Sequence, residues 1–160
     1  METLNLALQA KDPYTKGHAE RVGLLARRIA GRLGLPREAQ DVLGRAAKLH
    51  DIGKISIPGY LQVLPAIRAH HERYDGKGYP DGLAGDEIPL GGRIIAAADA
   101  YDALTSDRPY RSGLCHEQAI KVLQTCAGTQ WDPAVVQVLL ESFREEAGLE
   151  EDRLVSRGSD

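Results

Sequence analysis

The sequence predicts an all-α protein, a single-domain bundle of helices, and three observations carry that reading. Apolar residues recur at spacings of three and four through most of the chain, which stacks them along one face of a helix. Alternating runs of β-branched residues, the mark of strands, are few. With one Phe and one Trp in 160 residues, the core must rest on Leu, Ile, Val and Ala. Hydrophobic residues make up 42% and charged residues 27%, as in a soluble globular domain large enough to bury a core.

No uninterrupted apolar run reaches the roughly 18 residues of a membrane span. The opening METLNLALQAKD lacks the basic start and apolar stretch of a secretory signal, so a cytoplasmic location is expected. The net charge of -3 argues against a surface built to coat a nucleic-acid polymer, though it leaves room for a local basic pocket. Cys115 and Cys126 lie far from any CxxC pattern and read as free thiols.

In chain order, residues 2–10 can form a short helix, and Asp12-Pro13 breaks it or starts the next. From Lys16 to Leu33 the apolar set Val22, Leu25, Ile29 and Leu33 predicts a helix. His18, four residues before Val22, extends its buried face. Gly34, Leu35 and Pro36 end that helix. Residues 37–50 form another, which delivers His50 and Asp51 at its C-terminal end, with Gly53 to turn the chain and Lys54 one turn on.

Ala66 to Tyr74 is predicted to be helical, with His70 and His71 diverging by about 100°. DGKGYPDGLAGDEIP holds four glycines and two prolines in 15 residues and reads as a structured turn region. It lacks the strand-before, helix-after setting of a nucleotide fingerprint. Leu90 to Leu104 is an apolar helix with Asp99 at its middle. Burying that carboxylate unpaired costs several kcal/mol, so a charged partner is expected, and a metal ion is the obvious one given the histidines upstream. Asp102 shares the face of Asp99. SDRPYR then leaves the helix with Arg108 and Arg111, a pair able to hold a phosphate. Residues 116–126 form a plain amphipathic helix, on which His116 has no assigned role. Asp132-Pro133 starts the last helix, with Gly148 as its stop and a fraying polar tail from Glu150.

The stretches DPYTKGHAERV, HDIGKISIP, HHERYDGKGYPDGLAGDEIPLGGRII and ADAYDALTSDRPYR, in this order, resemble the HD superfamily of metal-dependent phosphohydrolases and, more narrowly, its HD-GYP family of cyclic dinucleotide phosphodiesterases. They span residues 12–111 of one HD-GYP-like domain of 160, followed by C-terminal helices over 112–148 and a polar tail over 149–160. The resemblance implies a helical bundle around a metal centre that hydrolyses cyclic di-GMP to the linear dinucleotide, with GMP as a further product. It implies His18, His50, Asp51 and Asp99 on one divalent ion, with Asp51 bridging to a second ion that His70 and His71 help to hold. Lys54 and Asp51 would serve the chemistry. Arg108, Arg111 and Tyr79 would face the substrate, with Asp102 a supporting polar group beside them. Iron or manganese is the expected metal, with zinc and nickel compatible with the same ligands. The Gly78-Tyr79-Pro80 loop is a candidate surface for signalling partners, and a homodimer is compatible.

Two departures from the family pattern qualify the resemblance. Tyr14 stands where three-metal members carry a glutamate, so two ions are expected. A longer segment that follows HDIGKISIP in the family, with another metal-binding histidine, is missing, and Pro58-Gly59 is read as a junction across a skipped mobile lid. Two alternatives remain: an HD phosphohydrolase of another nucleotide, and a signalling module that binds a dinucleotide or protein with little turnover.

Overall fold

A computed structural model describes residues 13–50, 64–108 and 111–157. Among the described residues the regular structure is helical: α1 (Pro13–Arg32), α2 (Arg37–Lys48), α3 (Leu64–Arg68), α4 (Leu90–Thr105), α5 (His116–Cys126) and α6 (Pro133–Arg157), with a 3-10 turn at Gly85–Glu87. Two isolated bridges, Arg108 with Arg111 and Ala127 with Trp131, are the β pairing among the described residues. Residues 2–10, Asp51, Lys54 and the Pro58-Gly59 junction lie outside the described residues.

The helix ends follow local chemistry. Pro13 opens α1, where its missing N–H is no loss. α1 closes with Gly34 at φ 75°, while Leu35 N donates to Ala30 O and Gly34 N to Gly31 O. This Schellman turn satisfies carbonyls the helix leaves open. Asp132 caps α6 by accepting from Ala134 N at 2.8 Å.

α4 is the hub, in contact with each of the other five described helices. Its Ile94, Ile95, Ala97 and Ala98 meet Val22, Leu25 and Ile29 of α1, Leu43 of α2, Leu123 of α5, and Val135 and Leu139 of α6 in one core cluster. The small residues Ala66 and Ala69 bring α3 and the turn after it close to Gly91 and Gly92 of α4.

Three expectations need correction. The helix expected over Ala66 to Tyr74 ends at Arg68, and His70 and His71 sit in the turn that follows. The backbone of Glu72 and Arg73 is instead taken up by the glycine loop folding onto it: a Cβ on Gly78 would lie 2.3 Å from Arg73 N and 2.5 Å from Glu72 Cα. Gly148 does not stop the last helix, which runs on to Arg157, so the fraying tail expected from Glu150 is helical for most of its length. A mid-helix Gly costs about 1 kcal/mol, a penalty the neighbouring Glu, Leu and Arg residues, good helix formers, can offset.

Candidate metal centre

α1 carries His18 on its buried face, and the turn ending α2 carries His50; α4 supplies Asp99 between them. His18 Nε2 lies 3.4 Å from His50 Nε2 and 3.4 Å from Asp99 Oδ1, and His50 Nε2 lies 3.7 Å from the same oxygen. One ligand atom from each of the three falls within 4.8 Å of the others, a spacing that fits a single metal ion.

The opposite ring nitrogens are committed elsewhere. His18 Nδ1 donates to Asp102 Oδ2 at 2.8 Å, and His50 Nδ1 to the Ala47 carbonyl at 2.6 Å. His70 Nδ1 donates to the Ile67 carbonyl at 2.5 Å. Carbonyls and carboxylates accept, so each Nδ1 holds the proton and each Nε2 presents a lone pair. Lone pairs this close to each other and to a carboxylate repel unless a cation lies among them. A backbone or carboxylate acceptor behind the ring is the usual arrangement for a metal-ligating histidine.

The residues present therefore fit a metal. His70 strengthens the fit. Its Nε2 is buried with no hydrogen-bond partner among the described residues, and its ring centroid is 5.2 Å from that of His50. Burial pushes the His70 imidazole below its ordinary pKa, against the Ile67 hydrogen bond, which keeps it neutral as a ligand must be. His71 is exposed, with its ring 3.9 Å from that of His70 and 4.8 Å from that of Tyr79. In the turn the two imidazoles lie side by side rather than diverging as on a helix.

Asp99 is not the buried carboxylate the sequence pointed to. Its side chain is 28% exposed, open towards the histidines, whereas that of Asp102 is 4% exposed. The partnered, desolvated carboxylate is Asp102, the expected supporting polar group, and the side chain it supports is His18. Burial pushes its carboxyl up, but hydrogen bonds from His18 and Arg21 outweigh burial and hold it below the usual carboxylate range.

Arg108 and Arg111 come together through their backbones: Arg108 N donates to Arg111 O at 2.7 Å and Arg111 N to Arg108 O at 2.9 Å. Both are exposed, and Arg111 Nη2 also donates to the Ala103 carbonyl at 2.9 Å. Tyr79, 61% exposed, caps the line of rings that runs from His18 through His50, His70 and His71.

Two supporting residues escaped the sequence reading. Glu72 is buried, and its Oε1 accepts from Asp81 N at 2.7 Å and Gly82 N at 3.1 Å, which ties the Tyr79 loop to the histidine turn. Arg21, three residues after His18, reaches Asp102. A charged residue one turn from a buried histidine on the same helix is the signal that could have found it.

Comparison with known proteins bears on the family and the fold. The family described as HD domain matches residues 60–135. A cyclic di-GMP phosphodiesterase of Thermotoga maritima is 34% identical over 180 residues, which take in 91% of this chain and 49% of that protein. A cyclic di-GMP phosphodiesterase response regulator, RpfG of Xanthomonas campestris pv. campestris, is 38% identical over 176 residues, 88% of this chain and 46% of that one. The chain thus spans about half the length of these relatives. Both aligned stretches are longer than the whole 160-residue chain although neither takes in all of it, so both relatives carry internal residues with no counterpart here. Among solved structures, a cyclic GMP-AMP-specific phosphodiesterase of V. cholerae has the same fold, with a TM-score of 0.66 at 17% identity, covering 79% of this chain and 44% of that one.

Proposed function

We propose that the chain, which matches the HD-domain family over residues 60–135 and is similar to cyclic di-GMP phosphodiesterases, hydrolyses a phosphodiester bond of a cyclic dinucleotide, with cyclic di-GMP as first substrate. The observation that carries this reading is the convergence of His18 Nε2, His50 Nε2 and Asp99 Oδ1, with both imidazoles held from behind. His18, His50 and Asp99 would hold one divalent ion. His70, with its buried bare nitrogen, and His71 beside it would help to hold a second, with Asp51 bridging as the motif order implies. Imidazole and carboxylate donors suit iron or manganese, and accept zinc or nickel. Such ions would supply positive charge to the phosphoryl oxygens and acidify water to near neutrality.

The side chains do the remaining work. Donation from each Nδ1 keeps the rings from turning, so the lone pairs stay aimed at one point. Lys54 is assigned to the reacting phosphate by its place in HDIGKISIP. Arg108 and Arg111 are assigned to the substrate phosphates, since guanidinium groups bind phosphate through paired hydrogen bonds. Tyr79 offers an exposed aromatic face beside His71 on which a base can stack. The Gly78-Tyr79-Pro80 loop is also the surface we assign to a protein partner.

A second reading, binding without turnover, draws on the internal residues that the relatives have and this chain lacks. One experiment separates the two. Purified protein loaded with manganese or iron is incubated with cyclic di-GMP, cyclic GMP-AMP and linear dinucleotides, and product masses are read. Linear products support the phosphodiesterase. Retained binding with no product over a day supports the binding module, and neither binding nor product rejects both.

A further inference from the structure

Asp102 is placed to hold the His18 ring, and a carboxylate does that only if its own plane is fixed. Its side chain is 4% exposed, and Oδ2 accepts from His18 Nδ1 at 2.8 Å. Arg21 closes on both oxygens at once: Nε meets Oδ1, and Nη2 lies 3.0 Å from Oδ2. The same Nη2 lies 3.0 Å from Ser106 Oγ, which in turn stands 3.3 Å from Asp102 Oδ2. Two-pronged contact of this kind fixes a carboxylate in plane and direction, which a point charge cannot do.

Gly17 bears on the same contact. It lies in the second turn of α1, where Gly is the poorest helix former after Pro, so its presence there calls for a reason. A Cβ at this position would sit 2.6 Å from Arg21 Nη1 and 3.7 Å from Arg21 Cζ, the atoms it would meet among the described side chains. The space left by the missing side chain is thus occupied by the guanidinium. A methyl group there would leave the helix intact and crowd Nη1, the guanidinium nitrogen that does not touch Asp102.

We infer that Arg21 is a positioning residue for the metal centre, locking the Asp102 carboxylate that orients the His18 imidazole, and that Gly17 is the residue that makes room for it. The inference rests on the reading of His18 as a metal ligand. It extends the support of the centre to a second layer, His18 to Asp102 to Arg21, running from the ligand cluster to the surface of α1.

The test uses the full chain as Arg21→Ala, Arg21→Lys and Gly17→Ala, with helical circular dichroism as the check on folding. In metal-free protein, two-bond proton–nitrogen NMR of the imidazoles reads the His18 tautomer directly. Wild type should show the Nδ1 proton held in its hydrogen bond to Asp102; Arg21→Ala should shift Nδ1 towards an averaged value, and Gly17→Ala should shift it less, because the crowded Nη1 does not touch Asp102. Calorimetric titration with Mn²⁺ should then show binding about tenfold weaker in Arg21→Ala and a smaller loss in Gly17→Ala, since losing an outer-layer partner of a ligand costs about tenfold or more. Arg21→Lys should fall between wild type and Arg21→Ala, because it keeps the charge and loses the two-pronged grip. A folded Arg21→Ala protein with wild-type His18 nitrogen shifts and wild-type Mn²⁺ affinity overturns the inference. If wild type takes up no Mn²⁺, the metal reading fails, and the His18 shifts alone decide the relay.

Discussion

Replacing Gly78 with Ala tests how the Tyr79 loop is held. The new Cβ would lie 2.3 Å from Arg73 N and 2.5 Å from Glu72 Cα, about an ångström inside ordinary contact, and both neighbours are backbone that cannot swing away. The loop must lift. The contacts it would lose are those from Asp81 N at 2.7 Å and Gly82 N at 3.1 Å to the buried Glu72 carboxylate. Hydrogen bonds to a charged group contribute about 1.5 to 3 kcal/mol each, so losing both costs about 3 to 6 kcal/mol. With a urea dependence of about 1 to 3 kcal/mol per molar, the unfolding midpoint should fall by at least about 1 M. Urea titration followed by circular dichroism measures it, and fluorescence quenching of Tyr79 reports its distance from His71. A Gly78→Ala protein that unfolds with the wild-type midpoint would show that the loop does not lean on the Glu72–Arg73 backbone, and the argument for its shape would fail.

Four further outcomes are expected. His50→Ala and Asp99→Ala should each lose bound metal and activity together while the helical signal remains; elemental analysis after loading decides it, and an unchanged metal content would remove both from the ligand set. Arg108→Ala and Arg111→Ala should keep their metal and lose about ten- to a hundredfold in kcat/KM, the loss expected from a charge-assisted contact; kinetics equal to wild type in both would dismiss the phosphate assignment. The hydrogen bond from Arg73 lowers Asp75 from 3.8 to about 2, so this carboxylate adds stability above its unfolded value and loses that contribution as pH falls through the folded one. Asp75→Asn should therefore be less stable than wild type near neutral pH, with the gap closing between about pH 4 and pH 2 in acid titrations, and a gap independent of pH would contradict the pairing. Tryptic digestion of the protein from its native source should not yield ISIPGYLQVLPAIR, the peptide after Lys54; finding it would end the idea of a skipped segment at Pro58-Gly59.

Much of this architecture was legible in the chain. Prolines at 13 and 133 mark real helix starts, and α5 spans the residues its periodicity indicates. His18 could be placed on a buried face because Val22, Leu25 and Ile29 share its register. What periodicity could not resolve was which of two carboxylates on one face goes inside. Asp99 and Asp102 are nearly equivalent by spacing, and the choice depends on Arg21, 81 residues from Asp102, arriving from another helix. The same holds for Ala66 to Tyr74. Its apolar spacing allows a helix, and the competing claim on the Glu72–Arg73 backbone comes from a loop whose fold is invisible to local pattern. Glu72 itself reads as a surface residue until the chain folds back over it.

The C-terminal helices contribute no predicted ligand, yet the histidine turn is stitched to them. Tyr74 N donates to Gln130 O at 3.3 Å and Asp75 N to Thr129 O at 2.9 Å. Arg93 Nη1 bridges Asp86 of the loop and Asp132, the cap of α6, at 2.6 and 2.7 Å. A truncation after Arg111 would retain every residue named in the centre and remove the abutment against which the histidine turn is braced. The smallest portable unit of this fold is therefore set by mechanical closure rather than by its ligand list. Anyone grafting the centre elsewhere, or comparing it across distant chains, has to carry the connection between α5 and α6 along with the histidines.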